Sequence, residues 1–488
     1  MRTISVNAGG SSVRLRLVAL SFALLLIPIG APSTLEVGPW LGTGVFAGWT
    51  AWLSYILLRR NLPYVAVFVM LNALGYGASV GDGLALGLTR VGLTATPASA
   101  WLAMWALLGF LSVISAVAVA LNRRTPKVQR TPVSSEWLGA VNIGFWLLFS
   151  LCALAAFATS SWTNYGGAQV TRDTGGLRAE LLYASMLLAA AGWLAMTQRG
   201  KGEARRSRLH RWIRVAMISG VALLLFAMQS RRLMLAAAAL VGTLWLLDHT
   251  VRTKPAANRA VKGLILVAAL GLGLVASAAW RDAARQQSTH IGLFEGVTAA
   301  FTKLDSFDPD EVNERMTYFW VDATTIELSR HLDNRLSAAD VFVAQLAFVT
   351  PTVIFAGKRD IPLLTCETVY DSVGVQNDLP CTAITEAFLA GGWFTLLWVA
   401  GLWGLFLGLL EHLRLWGGPL GRLFSLIALA EFTTIETGLF PMLQGIRDGL
   451  LTVLFVGFCA LALIGVQRLA RRGARPDAPA GQRRYPPG

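Results

Sequence analysis

The amino-acid sequence predicts an all-α polytopic membrane protein, and three observations predict it. Hydrophobic residues make up 55% of the 488-residue chain and charged residues only 14%, with a mean hydropathy of +0.55; a soluble domain carries about a quarter charged residues. About twelve runs approach the ~20 mostly apolar residues that a spanning helix needs. The basic residues gather in short clusters that fall after every second run, the pattern expected when Lys and Arg mark the cytoplasmic side.

In chain order the runs centre on Leu24, Trp49, Phe68, Leu108, Leu148, Leu188, Val221, Ala238 and Leu270, and then on Trp398, Ala428 and Val456. The first lacks a small-residue cleavage site followed by a soluble domain, so it reads as a retained anchor. The third breaks into the Gly-rich GYGASVGDGLALG, an exit compatible with a re-entrant segment. Arg2, Arg14 and Arg16 precede the first run; Arg59 and Arg60 follow the second; Arg123, Arg124, Lys127 and Arg130 follow the fourth. QRGKGEARRSRLHRWIR follows the sixth, VRTKPAANRAVK the eighth, and Arg468, Arg471, Arg472 and Arg475 the last. All lie inside if both termini are cytoplasmic. The net charge of +14 is therefore a topology signal and no argument for a nucleic-acid partner.

Four regions follow from this layout: an N-terminal transmembrane bundle of about nine helices over residues 1–280, a large external loop domain over 281–388, about three C-terminal helices over 389–468, and a cytoplasmic tail over 469–488. The stretch from Arg281 to Glu386 holds 16 of the 28 acidic and 8 of the 42 basic residues. A loop of that length is expected to fold or to serve a function. VNERMTYFWVDATTIELSRHL has helical periodicity. SAADVFVAQLAFVTPTVIF opens on a Ser/Asp cap signal and ends near Pro351; its apolar character suits a segment that dips into the membrane surface. Asp305, Asp308, Asp310 and Glu311 lack the glycine and spacing of a Ca²⁺ loop and read as a solvated acidic face or a weak cation site.

Cys152 and Cys459 fall in predicted helices as small apolar residues. Cys366 and Cys381 share the external loop; in an oxidising compartment they are expected to form a disulfide, stabilising by roughly 3 kcal/mol in the chain-entropy view. No histidine or second cysteine pair stands near them for zinc. No P-loop or HExxH occurs, nor any 20–50-residue repeat. The tail RRGARPDAPAGQRRYPPG is Pro/Gly/Arg-rich and reads as disordered and topology-fixing.

The sharpest chemical signal is Arg231 and Arg232, set in AMQSRRLML between two apolar runs on the side opposite the other basic clusters. Charge at such a position is costly and usually kept for function; an external anionic ligand would use it, and the bland reading is a snorkelling interfacial pair.

Together these features resemble the Wzy-type polymerases of O-antigen and exopolysaccharide repeat units, which have many spans and one large late periplasmic loop. The resemblance rests on Ser230–Arg231–Arg232 at an external helix junction, on TPTVIFAGKRDIP, similar to a Pro…Lys-x-x-Pro segment late in such loops, and on TAITEAFLAGGWFTLLWVAGLWG, similar to the family's entry into the helix after the loop. In the last, the family's Asn-Phe-Gly reads Ala390, Gly391, Gly392, and Thr395 replaces the second glycine. It covers the chain from about the seventh run onward. O-antigen ligases share the architecture.

The resemblance implies a membrane glycosyltransferase C-like fold in a bacterial inner membrane, with the loop periplasmic. It implies a glycan on polyprenyl (undecaprenyl) diphosphate as donor, a second lipid-linked repeat unit as acceptor, and no cofactor, metal or nucleotide sugar. Membrane lipids and a separate chain-length regulator protein are the implied partners. Cations must receive the leaving diphosphate, and arginine suits this because its planar fork bonds phosphate bidentately. The candidates are Arg231, Arg232, Arg281, Arg315 and Arg447. A base for the acceptor hydroxyl is sought among Glu386, Glu314, His290 and Asp322. Glu386 is equally an acidic residue favoured at a helix N-terminus, and a lone loop histidine is commonly solvated. Glu436 is placed to pair with Arg447. The competing readings are a ligase with lipid A as acceptor, and a flippase or transporter, for which internal half-repeats are expected and none is seen.

Overall fold

The structure is a computed structural model; it describes residues 37–86, 88–90, 93–122, 134–158, 179–196, 231–247, 318–329, 337–350, 382–430 and 439–473, with isolated positions at 16–27, 217–221, 298, 354 and 432. The described chain is helical apart from one small hairpin. In order the elements are α1 (Val37–Arg59), α2 (Pro63–Leu86), β1 (Leu88–Arg90), β2 (Leu93–Ala95), α3 (Pro97–Leu121), α4 (Ser135–Ala158), α5 (Ala179–Met196), α6 (Arg231–Leu247), α7 (Tyr318–Leu328), α8 (Ala338–Val349), α9 (Ala383–Trp416), α10 (Gly418–Ala430) and α11 (Met442–Gly473). Five of them, among the described residues, are long and apolar enough to cross a membrane: α1, α3, α4, α9 and α11. The twelve expected runs are matched in part; those centred on Leu24 and Val221 have only scattered described residues, and the one centred on Leu270 has none.

The Gly-rich exit of the third run differs from expectation. α2 continues through it to Leu86, and the chain then turns in the antiparallel pair Leu88–Arg90 with Leu93–Ala95. Helix persists because its neighbours supply what glycine lacks: Gly77 lies within 3.2 Å, measured from a built Cβ, of the Leu26 side chain. The other helix limits also shift slightly. α9 begins at Ala383, before the expected boundary at residue 388, and α11 runs on to Gly473, into the expected tail.

Three buried hydroxyls of α1 are satisfied within the helix. Thr43, Thr50 and Ser54 of α1 donate to the carbonyls of Pro39, Phe46 and Thr50 at 3.0, 2.9 and 2.8 Å, a back-bond that lets a polar residue sit in an apolar helix. α3 packs tightly against α9, and small residues allow it. A Cβ on Gly404 would lie 2.9 Å from the Ile114 carbonyl oxygen, and one on Gly408 3.2 Å from the Ala118 Cα. These are the two glycines of a G-x-x-x-G pattern, the spacing that lets membrane helices approach backbone to backbone. Asn122 closes the seam by donating to the carbonyls of Ala118 and Gly408 at 2.9 and 3.1 Å. α11 repeats the device with Gly445 against Ala428 and Gly449 against Phe424. At the centre, Trp403 meets Phe68, Phe110 and Phe432 edge-on, with ring centroids 5.7, 5.4 and 5.0 Å apart, the geometry favoured by the ring quadrupole.

The polar groups concentrate at two opposite ends. At one, α1 turns into α2 through Asn61, whose φ of 63° suits an asparagine at a helix C-terminus. Glu411 of α9 accepts from the Tyr64 N–H at 2.6 Å, capping α2, and pairs with Arg414 at 2.7 Å; Arg414 in turn donates to the Asn61 carbonyl at 2.7 Å. One buried ion pair thus holds the α1–α2 corner to the end of α9. The other end, where α3, α9 and α11 begin, carries the candidate site.

Candidate functional site

Three helix N-termini and two short helices meet at the entry end. Thr96 caps α3, accepting from the Ser99 N–H at 3.2 Å, and its hydroxyl reaches Glu327 of α7 at 3.1 Å. Thr382 caps α9 in the same way, accepting from the Thr385 N–H at 3.0 Å. Both threonine hydroxyls, Thr382 and Thr385, donate to Asp322 Oδ1 of α7, the latter at 2.9 Å. The Tyr76 hydroxyl of α2 also favours the charged carboxylate. α7 has 11 residues, too few to span a bilayer. Asp322 is 1% exposed, and burial pushes its carboxyl up to about 7 despite the three hydroxyls that pull it down. A carboxyl at that value holds a proton near neutrality and binds two hydroxyls at once.

Glu386, one residue beyond this cluster, is 1% exposed and accepts from the Leu439 N–H at 2.7 Å. It thereby ties the first turn of α9 to the segment leading into α11, as a carboxylate at a helix N-terminus also does electrostatically. The next residue, Phe440, donates its N–H to Gln345 of α8 at 2.8 Å. The side chain of Arg447 in α11 is 29% exposed. Its Nε donates to Asp448 Oδ1 at 2.7 Å, and its Nη1 points to the Val349 carbonyl at the end of α8, 3.4 Å away. Asp448 Oδ2 is buried without a partner.

α9 is broken just inside the membrane end. Gly391 and Gly392 leave helical geometry, and Gly392 has φ 65° and ψ −142°, a region open to glycine alone. A Cβ on Gly391 would strike Thr395 Oγ1. Thr395 is therefore matched to Gly391, since the threonine hydroxyl occupies the space a side chain at 391 would take.

Of the predicted site residues, the structure brings Glu386, Asp322 and Arg447 to one end. Arg231 and Arg232 open α6, but their side chains lie outside the described residues, as do Arg281, Arg315, Glu314, His290, Glu436 and the Cys366–Cys381 pair. Among the described residues Arg447 pairs with Asp448; the expected pairing with Glu436 lies outside the described residues. Sequence reasoning passed over Asp448 because a carboxylate adjacent to an arginine carries no periodic signal. It also missed the Thr382–Thr385 grip on Asp322, although the T-x-x-T spacing at a helix start was a visible cap signal. Among the described residues no group of three or more His, Cys, Asp or Glu is arranged to hold a metal ion. Comparison with family models, curated proteins and solved structures finds no match to this chain.

Proposed function

We propose that this protein polymerises oligosaccharide repeat units carried on polyprenyl diphosphate, in a bacterial inner membrane with the loop domain on the periplasmic side. The observation that carries the reading is Arg447: a guanidinium held along its Nε edge by Asp448, at the mouth of an α-helical membrane bundle, and still partly exposed. A fork fixed on one edge offers its remaining N–H donors in a set direction, which is what bidentate recognition of a phosphate requires. Arg231, Arg232, Arg281 and Arg315 are the further cations assigned to the diphosphate.

In the reaction the bond between the anomeric carbon of the donor glycan and its diphosphate oxygen breaks. A hydroxyl oxygen of the acceptor sugar forms the new bond. The hydroxyl proton passes to a carboxylate or imidazole, and the polyprenyl diphosphate leaves with the electron pair. Preorganised arginines stabilise the charge that develops on it. Glu386, Glu314 and His290 are the candidate proton acceptors; Glu386 meets the role only if its bond to Leu439 opens, because its carboxylate is buried.

The test uses purified full-length protein and one synthetic polyprenyl-diphosphate repeat unit, with no nucleotide sugar and no other protein. A ladder of lengthening products is expected, lost in Arg232→Ala, Arg281→Ala and Arg447→Ala proteins that insert normally. Normal long-chain product from these variants would sink the arginine assignment. Transfer to added lipid A without a ladder would move the reading to a ligase.

A further inference from the structure

α8 presents an apolar face that stays largely exposed among the described residues. Phe342, Val343 and Leu346 are 39, 52 and 43% exposed, whereas Val341, Ala344 and Ala347 are buried. At 100° per residue the three exposed side chains fall within one sector of about 100°, and Asp340 lies at its flank. The helix is well made: Ser337 accepts from the Ala339 N–H at 3.2 Å, and Thr350 closes the other end with its N–H on the Leu346 carbonyl at 3.1 Å. Its 12 residues extend about 18 Å, too short to span.

Its position decides what the face meets. The Phe342 ring packs edge-on against Phe440 at 5.1 Å, and Phe440 meets Trp398 of α9 at 6.5 Å. One ring therefore separates α8 from Trp398, an exposed residue of a helix long and apolar enough to cross a membrane. Phe394 and Leu397 on the same helix are exposed as well, as are Leu450 and Leu451 on α11. The apolar face of α8 thus continues the outward-facing apolar surface of α9 and α11, and it begins and ends in polar caps, with Asp340 beside one and Arg447 at the other.

We propose that α8 is an interfacial helix: its Phe342–Val343–Leu346 face is immersed in the lipid leaflet at the entry end of the bundle, its axis lying along the membrane surface. An amphipathic helix binds an interface through this arrangement, with its apolar side in the acyl boundary and its polar groups at the headgroups. Immersion sets the Val349 carbonyl, and with it the Arg447 guanidinium, at headgroup depth. The inference does not depend on the polymerase reading.

The test is photocrosslinking of the full-length protein in phosphatidylethanolamine–phosphatidylglycerol vesicles, with p-benzoylphenylalanine in place of Phe342, Leu346 or, as control, Asp340. A monodisperse gel-filtration peak in detergent establishes that each protein folds; the substitution at Phe342 keeps an aromatic ring against Phe440. Mass spectrometry after irradiation is expected to find phospholipid adducts at 342 and 346, about tenfold or more above those at 340. Crosslinks at 346 to a second copy or to another segment of the chain in place of lipid, or equal lipid adducts at all three positions, would each overturn the proposal. In a second measurement, Val343→Glu and Leu346→Glu proteins are expected to lose vesicle-dependent protection of α8 from protease while their detergent peak is unchanged. Unaltered protection would also overturn it.

Discussion

Replacing Asp322 by Asn tests whether the α7–α9 junction is held by a carboxyl that resists ionisation. In the folded protein burial raises its pKa from an ordinary 3.8 to about 7. A carboxyl that titrates higher in the folded than in the unfolded state favours folding while both are protonated, and that advantage is lost as pH rises through the folded value. The full loss corresponds to on the order of 4 kcal/mol, of which about 2–3 kcal/mol falls between pH 5 and pH 8. Asn keeps an oxygen to accept from Thr382 and Thr385, has nothing to ionise, and fills nearly the same volume. Thermal unfolding in detergent, followed by intrinsic fluorescence at about pH 5 and pH 8, should show a midpoint that falls with pH in the unaltered protein. The fall should be markedly smaller in Asp322→Asn, and the variant should be the more stable of the two at pH 8. Comparing the two proteins cancels the pH response of every other group. Equal slopes would mean that Asp322 stays charged in the fold, and that the hydroxyls of Thr382, Thr385 and Tyr76 outweigh its desolvation.

Three further outcomes follow from the packing. Arg414→Met leaves Glu411 buried without its cation and should cost about 3–5 kcal/mol, read as a lowered unfolding midpoint, whereas the double variant Glu411→Gln, Arg414→Met should recover much of the loss. Gly404→Ala drives a Cβ to 2.9 Å from the Ile114 carbonyl and should destabilise by about 1–3 kcal/mol; Gly401→Ala, with open space around it, should be neutral or stabilise by up to about 1 kcal/mol. Gly392→Ala must hold a side chain at φ 65° and should cost about 1–3 kcal/mol; an unchanged midpoint would show that α9 can straighten there.

The helices were legible because hydropathy is local. Runs centred on Trp49, Leu108, Leu148, Trp398 and Val456 correspond to five helices able to cross a membrane, and the Ser337 cap and the helix around Asp322 were readable from their own residues. What joins the elements was not legible. The bond between Asp322 and Thr382 spans 60 residues, and that between Glu411 and Tyr64 spans 347; no periodicity in a single sequence encodes such distances. The Gly-rich end of α2 misled for a related reason. Glycine lowers the helix propensity of an isolated segment by up to about 1 kcal/mol per residue, yet burial against α1 and α3 overrides that preference.

The two polar ends of the bundle differ in a way that bears on function. At the Glu411–Arg414 end each charged group has a protein partner: the carboxylate takes a guanidinium and a backbone N–H, and the guanidinium takes that carboxylate, a carbonyl and the Tyr64 face at 5.6 Å. A buried pair so saturated has nothing left to offer a ligand, and its effect is to fix the corner between α1, α2 and α9. At the entry end Asp322 is held by threonine hydroxyls and Glu386 by the Leu439 N–H, while Asp448 keeps one buried oxygen unpartnered beside an Arg447 side chain that stays partly exposed. This end therefore keeps a partly exposed cation, oriented by Asp448 and the Val349 carbonyl, and a cation so placed suits the binding of an anion that arrives along the membrane surface. Arg447→Lys, which keeps a cation beside the buried Asp448 but loses the planar fork, is the substitution that should separate loss of anion binding from loss of fold.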